Sequence, residues 1–179
     1  LAKDLLSSDN PLVLFGLYAA EHPCAMTIKA LADRIEAKTA IKVGWLTAGA
    51  NTAGAWRAGM VPHRDACGEK VTAPGVSALH LLGDTPVRAY ILLQLEAESD
   101  VAQPAAALEA LGQAGLVVCL SPFASEKMKS VADIILPIAP FMENMGSFTN
   151  AVGDEQSFSA ASVPHGDAKP AWKVIRAIA

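Results

Sequence analysis

Residues 48–55 of the sequence, Ala-Gly-Ala-Asn-Thr-Ala-Gly-Ala, have the composition of a loop that can approach a ligand closely. Small residues leave the backbone accessible, and Asn51 or Thr52 is suited to cap a following helix. Because the N-terminus of a helix attracts anions, Asn51, Thr52 and Gly54 are candidate phosphate-binding residues. A capped turn with tight helix packing explains the same residues without a ligand, and we favour that interpretation.

A second polar stretch, residues 143–156, combines glycines with several hydrogen-bonding side chains. It follows the apolar run 132–136, which a proline ends, so it begins where a buried strand is predicted to stop. Polar loops beside strand ends often carry binding functions. Gly146, Thr149 and Asn150 are therefore candidates for a ligand cradle, and the alternative is a loop that covers a neighbouring domain.

Several other residues have side chains or positions suited to a functional site, but their spacing does not match a known motif. Gly16 follows an apolar run, yet the segment lacks the G-x-G-x-x-G spacing of a dinucleotide site. His22 could act as a base, but a lone histidine before a proline is more typical of a turn. Glu96 and Glu98 follow a predicted strand end, where carboxylates are often functional. We favour a solubilising role for both.

The cysteines and histidines do not form a metal-binding pattern. His63 and Cys67 are four residues apart, which is ligand spacing on a helix, but a flanking proline and glycine disfavour a helix and no second pair exists. Cys24, Cys67 and Cys119 are too widely spaced for an iron–sulfur motif. Their odd number is not a disulfide framework, so a reduced compartment is expected.

The composition excludes several classes of function. Of the 179 residues, 52% are hydrophobic and 18% charged, and the net charge is −4. The few basic residues form no stripe, which argues against nucleic-acid binding. No apolar run approaches the roughly 20 residues of a membrane span. The chain starts with Leu and has no visible signal peptide, so we expect a fragment of a longer protein.

Apolar runs alternate with helical periodicity along the chain, which indicates α/β architecture. Strands are predicted at five apolar runs, 11–17, 41–46, 88–95, 116–120 and 132–136. Helices are predicted where apolar residues recur at helical spacing, around 28–35, 104–111 and 171–178. Right-handed crossovers then give a Rossmann-like three-layer sandwich with a mostly parallel sheet of about five strands. Any ligand would lie beyond the carboxyl ends of the strands.

Two parts of the chain are expected to differ in character. Residues 1–140 are predicted to form the Rossmann-like domain. Residues 141–179 are predicted to form an extended loop and a C-terminal helix that packs on this domain or on a neighbouring one. Within that helix we expect Trp172 to be a core anchor. If it is buried, its replacement by Ala would cost about 3 kcal/mol or more.

The sequence resembles the molybdopterin oxidoreductase superfamily. That family has an A-D-[VI]-[VI]-L-P strand followed by E-x-x-G-[ST]-[FW]-x-N-x-E-G-R-x-Q, and this chain supplies Ala132 to Pro137, Glu143, Gly146, Ser147, Phe148, Asn150, Gly153 and Gln156. Residues 164–172 are similar to its P-x-G-[ED]-[AT]-[RK]-P-x-W segment, and residues 49–55 to its G-A-N-x-x-G-A loop. The likeness covers nearly the whole chain and is most specific in the last third.

Within the superfamily, residues 136–141 and 170–176 look most like the large iron–sulfur subunit of bacterial NADH:quinone oxidoreductases (respiratory complex I). The resemblance implies a fold inherited from molybdopterin enzymes without the cofactor, and iron–sulfur clusters in a more N-terminal part of the parent subunit. It also implies partners, namely the rest of that subunit and other peripheral-arm subunits. The implied location is cytoplasmic, peripheral on the inner face of the bacterial inner membrane and without membrane insertion.

Two positions depart from the family pattern. Val152 stands where the family has Glu, and Asp154 where it has Arg. Losing a cation and gaining an anion disfavours a pyrophosphate-bearing cofactor. We therefore expect a structural, cofactor-free domain with no catalytic residue and no metal, which supports electron transfer from NADH to quinone by clusters elsewhere. A vestigial pocket would be lined by Gly16, Asn51, Thr52, Gly54, Gly146, Thr149 and Asn150.

Two other functions stay open. The chain could be the pterin-binding part of a catalytic molybdopterin oxidoreductase of the formate dehydrogenase type, but the Asp at position 154 argues against this. It could also be a generic nucleotide-binding module like the middle domain of thiamine-diphosphate enzymes. The missing glycine fingerprint argues against that function.

Overall fold

The computed structural model describes residues 2–20, 22–46, 48–83 and 87–179. These residues form two compact units. The first unit consists of the described residues up to 60, together with 65–68 and 148–156. The second consists of 61–64, the described part of 69–147, and 157–179. No helix in the described ranges has both the length and the apolar character of a membrane span.

Most of the helices and strands are short. The α-helices are α1 (Ala2–Leu6), α2 (Leu17–Ala20), α3 (Ala25–Lys38), α4 (Thr52–Arg57), α5 (Ala78–Leu81), α6 (Pro104–Gly112), α7 (Glu126–Val131) and α8 (Ala171–Ile178). The strands are β1 (Leu12–Phe15), β2 (Lys42–Trp45), β3 (Ala89–Leu93), β4 (Leu116–Ser121), β5 (Ile134–Pro137), β6 (Gly146–Thr149) and β7 (Glu155–Phe158). Two 3₁₀ turns lie at Ala66–Gly68 and Phe141–Glu143.

The first unit contains a parallel β-α-β arrangement. β1 and β2 pair in parallel, from Leu12 opposite Lys42 to Phe15 opposite Trp45, and α2 and the 14-residue α3 connect them. The rings of Phe15 and Trp45 stack with centroids 4.6 Å apart. Leu12 and Leu14 are 54% and 55% exposed, whereas this aromatic stack provides an apolar contact between the carboxyl ends of the two strands.

The second unit is built on three parallel strands in the order β3-β4-β5. The central strand β4 is deeply buried, and its residues 117–121 are each at most 9% exposed. Val117 and Cys119 belong to a core cluster that also contains Leu111 of α6 and Met128 of α7. One face of β4 is therefore covered by these two helices.

The opposite face of β4 is covered by the C-terminal helix. Val118 and Leu120 form a second core cluster with Ile138, and Ala171 and Val174 of α8 pack against it. Successive side chains of a strand point to opposite faces, which explains why alternate residues of β4 enter different clusters. The second unit therefore has helix, sheet and helix layers.

The predicted α/β class and the parallel pairing of strands are confirmed, but the described strands do not form one sheet of about five. β1 and β2 form one sheet, and β3 to β5 form another. In each, paired neighbours are consecutive strands joined by a helical crossover. Residues 46–88, between β2 and β3, contain only the short helices α4 and α5 and a 3₁₀ turn among their described positions. β6 and β7 pair as a separate two-stranded sheet. The sequence predicts an extended loop over residues 143–156, where β6 and the first part of β7 lie.

Trp172 is not a core residue. It is 55% exposed, and the charged groups of Lys173 and Arg176 lie 5.3 Å and 5.9 Å from its ring centroid. The condition for a large destabilisation on replacing Trp172 therefore fails. The contact of α8 with the sheet is made by Ala171 and Val174.

Replacing Leu120 by Ala should test the doubly covered strand. Leu120 is 0% exposed, whereas Leu116 of the same strand is 41% exposed. Because a buried leucine leaves a cavity when truncated, we expect Leu120→Ala to lower the free energy of unfolding by about 3 kcal/mol. Leu116→Ala, the matched control, should lower it by less than about 1.5 kcal/mol. Urea unfolding measures both, and equal losses would contradict the two-face burial of β4.

Thiol labelling provides a second test. Cys119 is buried and Cys24 and Cys67 are exposed, and burial raises the pKa of the Cys119 thiol above its usual value. The reactive species is the thiolate, so a buried and protonated thiol should react slowly. At pH 8 we expect a disulfide reagent to label Cys24 and Cys67 in the native protein, and Cys119 only after unfolding. Rapid native labelling of all three would contradict this packing.

Candidate functional site

The two polar loops identified in the sequence meet in the first unit. The backbone N–H of Thr149 donates to the side-chain oxygen Oδ1 of Asn51 at 2.8 Å, although the residues are 98 positions apart. Thr149 is 6% exposed, so its N–H has little access to water and depends on a protein acceptor. Two of the predicted site residues are therefore in direct contact.

Asn51 occupies the N-cap position of α4, but its side chain makes no capping hydrogen bond. The helix begins instead with the backbone N–H of Ala55, which donates to the carbonyl oxygen of Asn51 at 2.9 Å. The hydroxyl oxygen of Thr52 lies 3.2 Å from both the backbone nitrogen and the carbonyl oxygen of Gly49. The predicted capping role of Asn51 or Thr52 is wrong, because each side chain has a different partner.

Gly54 provides the space in which the Asn51 side chain lies. A Cβ atom at position 54 would be 2.0 Å from Asn51 Oδ1 and 2.8 Å from its Cγ. Both distances are far below van der Waals contact, so any larger residue at position 54 must displace Asn51. The small residue in this motif is therefore needed by the protein's own side chain.

Asn150 organises the loop between β6 and β7. The side-chain Oδ1 of Asn150 accepts the backbone N–H groups of Val152 at 3.1 Å and Asp154 at 2.9 Å. The backbone N–H of Asn150 donates to the carbonyl oxygen of Asp154 at 3.0 Å. Gly153 has φ +98°, a left-handed conformation that favours glycine. The acceptor oxygen of Asn150 is therefore engaged in shaping the turn.

The remaining candidates have separate surroundings. Gly16 directly follows β1, and its carbonyl oxygen accepts the backbone N–H groups of Ala19 and Ala20 at 3.1 Å and 3.3 Å. A Cβ at Gly16 would meet no atom within 4 Å. Gly146 lies against Phe158, whose Cζ would be 3.1 Å from an added Cβ.

The other polar residues weighed in the sequence are not assembled into a reactive centre. The ring nitrogen Nδ1 of His22 accepts the backbone N–H of Cys24 at 3.0 Å, which fits the predicted turn. Cys67 lies in a 3₁₀ turn with φ +63°, so it is not on a helix with His63. Across the described ranges, no three His, Cys, Asp or Glu side chains are grouped as a metal site requires.

Glu98 has a structural role that the sequence did not predict. Its carboxylate accepts the hydroxyl hydrogen of Ser125, and Ser125 Oγ accepts the N–H of Met128 at 3.0 Å and caps α7. The second carboxylate oxygen is buried and lacks a hydrogen-bond partner among the described residues. The solubilising role favoured for Glu98 is therefore wrong, and its position after β3 was the signal of a more specific function.

The seven candidate residues can provide neutral hydrogen bonds only. All of them are Gly, Asn or Thr, and the charged residue of the loop between β6 and β7, 150–154, is the anion Asp154. Nothing in this set pairs a nucleophile with a base, which covalent catalysis would require. The Asn51–Thr149 contact therefore joins the start of α4 to the end of β6 and does not by itself perform a reaction.

A double-mutant cycle should establish the dependence of Gly54 on Asn51. Asn51→Ala leaves the buried N–H of Thr149 unpaired and should cost about 1–3 kcal/mol. Gly54→Ala alone should also destabilise, because it displaces the same side chain. In the Asn51→Ala background the obstruction is gone, so Gly54→Ala should stabilise α4 by about 0.5–1 kcal/mol.

Thermal unfolding and urea unfolding measure the stability of the four proteins in this cycle, namely the unmodified chain, the two single variants and the double variant. Gly16→Ala is the matched control, since an added Cβ there meets open space; it should change stability by less than about 1 kcal/mol. A Gly54→Ala effect that is the same with and without Asn51 would show that the two residues are independent, contrary to this geometry.

Comparison with known proteins identifies relatives of the chain and its family. The chain is 29% identical over 185 aligned positions to a subunit of the NADH-quinone oxidoreductase of Streptomyces coelicolor, covering 91% of this chain and 21% of that protein. It is 46% identical over 48 positions to a protein of Staphylococcus aureus named "Putative formate dehydrogenase", covering 27% of this chain and 5% of that one. The chain thus spans about a fifth or less of these relatives. The family model described as molybdopterin oxidoreductase matches residues 1–179, and the chain therefore belongs to the molybdopterin oxidoreductase family.

Proposed function

We propose that this chain is a non-catalytic, cofactor-free structural domain of the large iron–sulfur subunit of an NADH:quinone oxidoreductase. In this proposal, electrons pass from NADH to quinone through clusters held in other parts of the subunit. The domain contributes packing, which keeps the cluster-bearing portion in place. Its partners are the remainder of the subunit and neighbouring peripheral-arm subunits, on the cytoplasmic face of the membrane.

The extent of the similarity supports the choice of parent protein. The match to the Streptomyces coelicolor protein covers 91% of the chain. The match to the Staphylococcus aureus protein has a higher identity but covers only 27% of the chain. A relation to formate dehydrogenases through one short segment is expected for any member of the family, whereas similarity along nearly the whole chain is more specific.

The observation that carries the cofactor-free proposal is the hydrogen bond between Thr149 and Asn51. A pterin cofactor with a pyrophosphate group needs free N–H donors and cations around its anionic oxygens. Here the N–H of Thr149 is already bonded, and the side chain of Asn51 occupies the space left by Gly54. The residues present do not fit such a group.

The charge of the loop between β6 and β7 supports the same proposal. Asp154 replaces the family's Arg, and its backbone N–H is taken by Asn150 Oδ1 at 2.9 Å. Its carboxylate oxygen lies 3.5 Å from the side-chain nitrogen of Asn150. A carboxylate at this position repels an anionic ligand. Substitution of the Arg thus removes an attraction and introduces a repulsion.

A structural role is also consistent with the exposed apolar side chains. Tyr18, Met26 and Met60 of the first unit are 96%, 80% and 68% exposed. Covering such side chains with a partner surface is favourable, because it removes apolar area from water. In the proposed function, the remainder of the parent subunit supplies that cover.

Cofactor analysis tests this proposal. The chain would be produced in a bacterium that makes the molybdenum–pterin cofactor, and molybdenum and oxidised pterin would be measured per chain after gel filtration. The full-length Staphylococcus aureus relative, treated identically, is the comparison. For this chain we expect molybdenum and oxidised pterin each to be far below one per chain, because Asp154 and the bonded Asn51 provide no anion site.

Addition of pyrophosphate gives an independent measurement of the same property. A ligand that binds the folded state raises the melting temperature, and we expect no such rise here. Asp154→Arg, which restores the family's cation, is the matched variant and should gain a small rise if charge is the main obstacle. Stoichiometric molybdenum, or a clear stabilisation of the unmodified chain by pyrophosphate, would overturn the proposal.

A further inference from the structure

A groove beside α8 in the second unit combines apolar walls with a cationic rim. Its volume is about 410 Å³. The apolar part of its lining includes Met145, Val163, Pro164 and Trp172. This groove contains none of the seven candidate pocket residues, so it represents a separate feature of the molecule.

The apolar walls are open to water. Val163 is 84% exposed, Met145 74% and Trp172 55%. Burying such side chains against a partner is favourable by roughly 25 cal/mol per Å² of apolar surface. Since the three lie around one concave space, an inserted apolar side chain would contact all of them together.

The rim of the groove is positively charged in a chain whose net charge is −4. Lys169 and Lys173 line the groove, and the guanidinium carbon of Arg176 lies 5.9 Å from the ring centroid of Trp172. None of these three cations forms a salt bridge with another described residue. Residues 169–179 contain no Asp or Glu.

One carboxylate opposes these cations. Glu143 also lines the groove, and its Oε2 accepts the backbone N–H of His165 at 3.1 Å. This hydrogen bond directs part of the negative charge of the Glu143 carboxylate toward the backbone of the protein's own loop. The groove is lined by two lysines and one carboxylate, and Arg176 lies beside its Trp172 wall, so the local charge favours an anion.

We propose that the groove binds an acidic segment of another protein that carries one apolar side chain. Carboxylates of the segment pair with Lys169, Lys173 and Arg176, and the apolar side chain occupies the space between Met145, Val163 and Trp172. Exposed aromatic and basic residues around a concave site are typical of binding hot spots. The inference rests on the groove alone and does not depend on the proposed cofactor-free function.

A protein segment fits this surface better than a membrane does. Apolar residues that insert into a bilayer must protrude, whereas these residues line a concavity that accepts a side chain. An anionic membrane would also repel a chain with a net charge of −4. An acidic segment presents its few charges only to the local cations.

Fluorescence anisotropy with a labelled peptide tests this site. The probe is a fluorescein-labelled peptide with a leucine pair flanked by glutamates, and its control has glutamines in place of the glutamates. We expect the full chain to bind the acidic peptide, and binding to weaken as salt is raised. Lys173→Glu should weaken it roughly tenfold or more, because it reverses one rim charge. Trp172→Ala should weaken it through loss of the apolar wall.

Lys127→Glu is the matched control, since it reverses an exposed lysine of α7 that is not in the groove, and it should leave binding unchanged. Circular dichroism melts establish that all variants fold. Equal affinity for the glutamine peptide, or equal losses in Lys173→Glu and Lys127→Glu, would overturn the proposal. So would binding to phosphatidylglycerol vesicles without peptide binding, or self-association of the chain that depends on Lys173.

Discussion

Burial of β4 on both faces is the constraint on which the second unit depends. A strand that is apolar on both sides needs a helix layer on each side, because either face left open would expose Val118 or Cys119 to water. Consecutive crossovers supply only one of these layers, through α6 and α7. The other layer comes from α8, whose approach is fixed where the N–H of Ala139 donates to the carbonyl oxygen of Lys169 at 2.9 Å. The C-terminal segment is therefore part of the core of its unit.

In the first unit, burial places a corresponding constraint on the polar Asn51–Thr149 contact. A buried N–H needs an acceptor, and a ligand or a side chain can provide it. Here a side chain provides it, and Gly54 makes room for that side chain. Two loops that could otherwise hold a ligand are thereby joined to each other. The N–H of Thr149 therefore has its acceptor within the chain itself.

The sequence predicted the elements of this chain better than their pairing. Continuous apolar runs located all five parallel strands, but the burial expected for β1 is wrong, since Leu12 and Leu14 are exposed. Their division into two sheets depends on long-range contacts that no local pattern records. β6 and β7 were missed because residues 143–158 have no periodicity, and the rings of Phe141 and Phe158, 5.4 Å apart, contribute to that region through tertiary contact. Composition identified both polar loops, but not their contact, since a backbone N–H such as that of Thr149 has no sequence signature.

Charge distinguishes the two surfaces on which a ligand could be sought. The seven candidate residues are uncharged, and Asp154 is the ionised group of the loop 150–154. The groove beside α8 is lined by Lys169, Lys173 and the carboxylate of Glu143, and Arg176 lies next to its Trp172 wall. An anion approaching a chain of net charge −4 is repelled except where cations are concentrated. Local charge therefore disfavours an anionic cofactor at Asn51, next to the anionic loop 150–154, and favours an acidic partner at the groove.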